Sequence, residues 1–157
     1  MTRFVLDASV ALCWFFEGQK TAYTESVFEC LARGDEAVVP VVWPLEVVNS
    51  LVVAARQKTI TATQFETFVA DLKELPVEVD LEGVERTYSS ILRISRQHQL
   101  SSYDSAYLDL ALVEGLPLAT LDKNLRAAAK RSRVELLMLS RAPQTRKIFA
   151  AGEEDGP

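Results

Sequence analysis

The stretch Arg3-Phe4-Val5-Leu6-Asp7-Ala8-Ser9 decides the fold of this chain. Its apolar residues are of the type that forms buried strands, and an apolar segment of helical character follows Ser9. A strand that runs directly into an aspartate places that carboxylate at its own C-terminal end. In a parallel α/β sheet this end borders the crevice in which ligands bind. We therefore expect Asp7 to line such a crevice.

The composition is that of an ordinary globular protein. The chain has 157 residues, of which 48% are hydrophobic and 25% are charged, so the length predicts one domain and the composition excludes wholesale disorder. Cys13 and Cys30 match no metal-ligand spacing and are expected to be reduced core residues of a cytoplasmic protein. There is no signal-peptide pattern and no apolar run of the roughly 20 residues that a membrane span needs, so no membrane partner is expected.

Predicted strands and helices alternate along the chain. Strands are expected at 4–6, 37–39, 77–79, 116–121 and 134–139, and a long amphipathic helix is expected through 84–95. This alternation predicts a single three-layer α/β domain over residues 1–140, with a central, mainly parallel sheet of about 4–5 strands and helices on both faces. Residues 141–157 are expected to form a frayed C-terminal tail.

The segment 10–16, VALCWFF, is apolar all round, which is more than a helix packed on one sheet face requires. Two interpretations remain open. The segment is either a deeply buried core helix, or Trp14 and Phe15 form a surface that a second subunit or a protein partner covers.

Three further acids stand in positions comparable to that of Asp7. Asp122 follows an apolar strand, whereas Glu46 and Asp104 each fall in the first turn of a helix. Each acid alone is explained equally well as a helix cap or as a partner of the helix dipole. Together they are expected to face one edge of the sheet, where carboxylates at ~5 Å repel each other by about 3 kcal/mol per pair at an effective dielectric of 20. The cluster therefore predicts a bound cation.

The donor types indicate which cation it is. Carboxylate oxygens without nearby His or Cys favour Mg²⁺ or Mn²⁺ over zinc, and such an ion activates water for phosphodiester hydrolysis. Ser9, Asn49 and Thr120 are expected to support the acids by hydrogen bonds. Asp109 and His98 are expected to be solvated and to have no role.

At this point four motifs carry a family resemblance. They are Asp7-Ala8-Ser9 after the first strand, Glu46 in WPLEVVNSL, Asp104 in SSYDSAYLDLAL, and the sequence TLDKNL at 120–125. Together these motifs resemble those of a PIN-domain ribonuclease. A single domain of this length resembles a VapC-type toxin of a toxin-antitoxin pair. The resemblance covers residues 2–139. It implies a metal-dependent endoribonuclease with Asp7, Glu46, Asp104 and Asp122 as its catalytic and metal-binding acids, a homodimer, and inhibition by a cognate antitoxin. Some relatives carry a further acid at the position of Asn124, which puts a second tightly held metal in doubt.

The basic run 123–133 is the natural candidate for contact with RNA. Lys123, Arg126 and Lys130 would hold the phosphate backbone, although each is explained as well by a solvated helix face. The net charge of −5 argues only weakly against this, because a bound cation offsets part of the acidic cluster.

Other classes of protein fit the sequence less well. The acids of a non-catalytic module would bind a metal or a partner's arginine for assembly alone, and this alternative stays open. A receiver-like domain would need an acid adjacent to Asp7, and a phosphatase of the haloacid-dehalogenase type would need an acid where Ser9 stands. The sequence has no glycine-rich loop of a nucleotide-binding fold.

Overall fold

Four parallel strands form the centre of the fold in the computed structural model, which describes residues 1–138. The elements follow one another as β1 (Arg3–Leu6), α1 (Ala8–Phe15), α2 (Ala22–Ala32), β2 (Glu36–Pro40), α3 (Val42–Arg56), α4 (Ala62–Glu74), β3 (Val77–Asp80), α5 (Leu92–His98), α6 (Ser102–Glu114), β4 (Leu118–Ala119) and α7 (Lys123–Arg131). The predicted three-layer α/β class is confirmed. The predicted tail at 141–157 lies outside the described residues.

The sheet order β3-β2-β1-β4 determines what lies beside Asp7. Strand β1 is central, with β2 on one side and β4 on the other, and Leu6 is in register with Ala119. Because both strands run in the same direction, the residues that follow them emerge side by side. The register therefore places Thr120 next to Asp7, although the two are far apart in the sequence.

Residues of types that favour helix ends lie at the ends of several helices. Thr61 caps α4 through a reciprocal capping box with Gln64. Ser101 caps α6, and Gly115 ends that helix with a φ of 64°, a conformation that glycine adopts without steric cost. The capping pattern in the sequence is thus realised at α4 and at α6.

Helix α1 is a core helix. Trp14 and Phe15 are 8% and 5% exposed, and the indole Nε1 of Trp14 donates to the carbonyl oxygen of Thr24 over 2.8 Å. The Trp14 ring packs against Phe28 at 5.2 Å between centroids, and Phe15 packs against Phe68 at 5.3 Å. This corrects the interpretation of Trp14 and Phe15 as a partner or dimer surface, because the chain itself covers both rings.

The long helix expected through 84–95 is not continuous. A 3₁₀ turn at Glu82–Val84 and a π-helical turn at Thr87–Ile91 precede α5. Between the two turns, Arg86 pairs with Asp80 at 2.6 Å and with Asp109 at 2.7 Å. These contacts join the end of β3 to α6. The spacing of apolar residues does not predict them.

The strand expected at 134–139 is reduced to a single parallel bridge between Leu118 and Leu136, and position 139 lies outside the described residues. Strand β4 is itself only two residues long, so it offers little backbone for a further strand to pair with.

Two other findings concern the described part of the chain as a whole. Cys13 and Cys30 are free and buried, as the sequence predicts. None of the helices within residues 1–138 combines the length and the apolar character that crossing a bilayer requires.

Candidate active site: an acidic cluster at the carboxyl edge of the sheet

Asp7 lies at the centre of the candidate site. It occupies the N-cap position of α1 but makes no side-chain capping bond, so helix capping does not explain this aspartate. Its side chain is turned to two hydroxyl groups instead. Oδ2 accepts hydrogen bonds from Ser9 Oγ at 2.7 Å and from Thr120 Oγ1 at 2.6 Å, and the residue is 4% exposed.

The same two hydroxyl groups connect Asp7 to the segment that follows β4. Ser9 Oγ accepts the backbone N–H of Leu121 at 3.1 Å, and Thr120 Oγ1 accepts the backbone N–H of Asp122 at 3.0 Å. Ser9 and Thr120 therefore stand where the sequence predicts supporting groups, and Thr120 is completely buried.

Glu46 approaches the cluster from α3. Since this helix begins at Val42, Glu46 is its fifth residue and lies just beyond the first turn in which it was expected. Its Oε1 accepts a hydrogen bond from the hydroxyl of Tyr107 at 2.8 Å. Tyr107 was given no role from the sequence, although a tyrosine three residues after Asp104 on an apolar helix is a usable signal.

Asp104 and Asp122 stand at the starts of α6 and α7. Asp104 lies in the first turn of α6, where its backbone N–H donates to Ser101 Oγ at 3.0 Å. The side chain of Asp122 caps α7 by accepting the backbone N–H of Leu125 at 2.7 Å. Both acids thus have the helix-end roles that the sequence suggests, in addition to their place in the cluster.

Electrostatic interactions link the four acids in pairs. Burial raises the pKa of Asp7, of Glu46 and of Asp104, and nearby acids raise these pKa values further. Asp104 acts on Asp7, both Asp7 and Asp104 act on Glu46, and Asp122 acts on Asp104. Within residues 1–138 no Lys, Arg or His forms an ion pair with any of the four.

The donor set fits a hard divalent cation. It consists of carboxylate and hydroxyl oxygens, which Mg²⁺ and Mn²⁺ prefer. In the described part of the chain, however, no three His, Cys, Asp or Glu side chains are already gathered as a metal site. Asp7 Oδ2, Glu46 Oε1 and Asp122 Oδ1 each accept a hydrogen bond from the protein. The carboxylates therefore have to converge further to ligate an ion together.

The other predicted residues lie around this cluster with fewer contacts to it. Asn49 is exposed and lines a groove with Phe16 and Ile60, and no hydrogen bond joins it to Glu46 within the described residues. The guanidinium of Arg126 donates to the carbonyl oxygen of Thr120 at 3.0 Å, so this cation stands beside the site. The expected RNA contacts Lys123 and Lys130 are exposed on α7.

Of the two residues expected to be solvated, one is buried and the other is half-buried. Asp109 is 1% exposed, where it accepts hydrogen bonds from Arg86 and from Ser90. His98 is half-buried, with a ring nitrogen 3.2 Å from Ser132 Oγ, and none of its contacts involves the acidic cluster. The sequence pattern failed at Asp109 because its partners come from another segment of the chain.

Solved structures with the same fold come from bacteria and archaea. FitAcB from Neisseria gonorrhoeae is 14% identical, with a TM-score of 0.61 over 86% of this chain and 96% of that one. VapBC2 from Rickettsia felis, bound to a DNA fragment from their promoter, is 14% identical, with a TM-score of 0.57 over 87% and 98%. PAE2754 from Pyrobaculum aerophilum is 18% identical, with a TM-score of 0.52 over 81% and 84%.

No curated protein sequence matches the chain significantly. The family model of the PIN domain does match it, over residues 4–131. The match spans β1 to α7 and so includes all four acids of the cluster. The chain belongs to the PIN domain family, whose members are generally nucleases that use divalent metals.

Proposed function

We propose that this protein is a divalent-metal-dependent endoribonuclease, a VapC-type toxin that hydrolyses RNA phosphodiesters. The observation that carries the proposal is the set of four carboxylates at one edge of the sheet, linked by pairwise electrostatic interactions and without a basic partner among residues 1–138. Such a set is costly for a folded protein unless a cation offsets its charge.

In this proposal Asp7, Glu46, Asp104 and Asp122 hold Mg²⁺ or Mn²⁺. The ion, when bound, supplies the Lewis acidity that activates water and offsets charge on the phosphate. Ser9 and Thr120 orient the carboxylate of Asp7 through their hydrogen bonds to Oδ2. Asn49 is a further polar neighbour on α3.

The basic helix α7 supplies the contact with substrate. Asp122 caps this helix, so the helix begins at Lys123, directly beside the cluster. The guanidinium of Arg126 is hydrogen-bonded to the carbonyl oxygen of Thr120. In this proposal Lys123, Arg126 and Lys130 hold the backbone of an RNA whose scissile phosphate lies at the acids. Contacts of this kind provide affinity without reading sequence.

The biological partners follow from the VapC-type assignment. We propose a cognate antitoxin as the inhibitor, a homodimer as the active form and the cytoplasm as the location. The similarity in fold to FitAcB and VapBC2 supports this assignment, and the free thiols of Cys13 and Cys30 suit a reducing compartment.

A second candidate is a non-catalytic module that binds a metal or a partner's arginine. The observation that favours it is that no three of the acids are already gathered as a metal site within the described residues. The two candidates differ in whether the protein turns over RNA.

Incubation of the purified, partner-free protein with a mixed RNA sample separates the two candidates. We expect discrete fragments with Mg²⁺ or Mn²⁺, and none with EDTA or with the Asp104→Asn variant. Absence of cleavage by a folded wild-type protein under both metals would contradict the nuclease proposal and favour the binding module.

A further inference from the structure

The hydroxyl of Tyr107 is the one side-chain donor that contacts the carboxylate of Glu46 within residues 1–138, at 2.8 Å from Oε1. Tyr107 is 0% exposed and lies in the middle of α6, whereas Glu46 lies on α3 and is 61 residues away in sequence. The bond therefore crosses between two helices at the site. It uses Oε1 alone, and Oε2 takes part in no hydrogen bond among the described residues.

Helix α6 brings this phenol to the cluster together with one of the acids. Asp104 and Tyr107 are three residues apart, so they lie on neighbouring positions of the same helix face. Any shift of α6 thus moves the Asp104 carboxylate and the donor to Glu46 together. The spacing of these two groups is built into one rigid element.

The same hydroxyl also faces the beginning of α1. Burial raises the pKa of Tyr107, the charges of Asp7 and Glu46 raise it further, and the backbone of Ala8, the residue after Asp7, lowers it. The phenol thus stands between the segment that carries Asp7 and the side chain of Glu46. Tyr107 therefore contacts Glu46 on α3, stands near the segment that carries Asp7, and shares α6 with Asp104.

The Glu46 carboxylate depends on such a support for its orientation. It is half-buried, has a longer side chain than an aspartate, and forms no ion pair within residues 1–138. Without a donor its carboxylate would lose orientation in a site where the other acids repel it.

We propose that Tyr107 is a positioning residue for Glu46, which fixes the carboxylate in the orientation that cation binding and RNA cleavage require. This inference rests on the proposed function. Partners that orient ligating carboxylates typically contribute 10–100-fold to metal affinity or activity. The alternative is a purely structural role, in which Glu46 merely satisfies a buried phenol.

The test compares the Tyr107→Phe variant of the full chain with the matched control Tyr88→Phe, whose ring is 89% exposed. We expect Tyr107→Phe to bind Mn²⁺ about tenfold to a hundredfold more weakly by calorimetry, and to cleave RNA with a lower kcat but an unchanged KM. Tyr88→Phe should leave all three quantities at their wild-type values. If Tyr107 has a purely structural role, Tyr107→Phe should lower the melting temperature but leave Mn²⁺ affinity, kcat and KM unchanged.

A double-mutant cycle with Glu46→Gln tests whether the effect runs through Glu46. If Tyr107 acts on this carboxylate, adding Tyr107→Phe to Glu46→Gln changes Mn²⁺ affinity little further. Additive losses would overturn the proposal, as would wild-type Mn²⁺ affinity in a folded Tyr107→Phe protein. If that variant does not fold, 4-fluorophenylalanine at position 107 fills nearly the same volume without donating and supplies the same comparison.

Mn²⁺ binding separates this inference from the proposed function. A wild-type protein that binds Mn²⁺ but cleaves no RNA contradicts the nuclease proposal, while the affinity of Tyr107→Phe still decides the role of the tyrosine. A wild-type protein that binds no Mn²⁺ overturns both.

Discussion

At the scale of single residues, hydroxyl groups determine where the carboxylates of the site stand. Ser9 and Thr120 hold Asp7, and Tyr107 holds Glu46. These bonds favour the charged form of the two acids, whereas burial opposes it, and burial is the larger effect on both pKa values. Without a cation, the negative charge of the site is therefore unfavourable, and a bound cation would neutralise part of it.

Asp7→Asn is expected to stabilise the metal-free protein. Because burial raises the pKa of Asp7 above its ordinary value of 3.8, the folded state keeps this proton to higher pH than the unfolded state. The folded state is thus disfavoured progressively as pH rises above that value, and an amide removes this dependence. Melting temperatures in EDTA should be higher by a few degrees for the variant at neutral pH, and should decline less with rising pH.

The exposed acid Glu66 on α4 provides the control, since Glu66→Gln should leave the pH dependence of melting unchanged. A lower melting temperature for Asp7→Asn at every pH would show that the charge of Asp7 does not destabilise the fold.

Thr120→Val should destabilise the protein by about 1–3 kcal/mol. The side chain keeps its shape, but the buried Asp7 carboxylate loses one donor and the N–H of Asp122 loses its acceptor. Urea unfolding measures the difference against Thr67→Val, which removes an exposed hydroxyl on α4 and should cost within about 0.5 kcal/mol. Equal effects of the two substitutions would mean that the Thr120 network adds no stability.

At the scale of secondary-structure elements, the ends of the helices were largely predictable and one connection was not. Thr61, Ser101 and Gly115 cap or end their helices through neighbours within one turn, so the local sequence is enough to predict these helix ends. The 3₁₀ and π-helical turns before α5 lie where Arg86 pairs with Asp80 and Asp109. Those partners come from β3 and α6, so no local pattern reveals them.

Arg86→Leu tests the contribution of this connection. The substitution leaves two aspartates, one of them with a side chain only 2% exposed, without their cation. Removing one partner of a buried pair typically costs 3–5 kcal/mol, and we expect a loss of about that size in urea unfolding. The exposed Arg96 on α5 is the matched control, and a loss no greater than that of Arg96→Leu would contradict the assignment.

At the scale of the whole molecule, the fold class was predictable because it depends on regular patterns, whereas the role of the four acids as one site stays a prediction. Strands that alternate with helices predict a parallel sheet, and the C-terminal ends of such strands meet at one edge. The bond between Tyr107 and Glu46 joins residues 61 positions apart on two helices, and it depends on packing that sequence spacing does not determine.

Charge is also distributed unevenly over the molecule. The net charge is −5, yet α7 carries Lys123, Arg126, Lys130 and Arg131 beside the acidic cluster. A Lys123→Glu/Lys130→Glu double variant should raise the KM for RNA severalfold and weaken the salt dependence of binding, with Mn²⁺ affinity unchanged. Lys58→Glu/Lys73→Glu makes the same change of charge elsewhere on the surface, and an equal rise in KM for that variant would remove the special role of α7.

We expect the acidic cluster to bind the divalent cation. Calorimetric titration of the metal-free protein with Mn²⁺ tests this expectation most directly, with Asp104→Asn as the test variant. Asp71→Asn is the control, because Asp71 is a half-buried acid on α4 whose pKa is also raised by burial. We expect saturable binding to the wild type and to Asp71→Asn, and binding at least tenfold weaker to Asp104→Asn. Equal affinity of all three proteins for Mn²⁺, or no binding to the folded wild type, would contradict it.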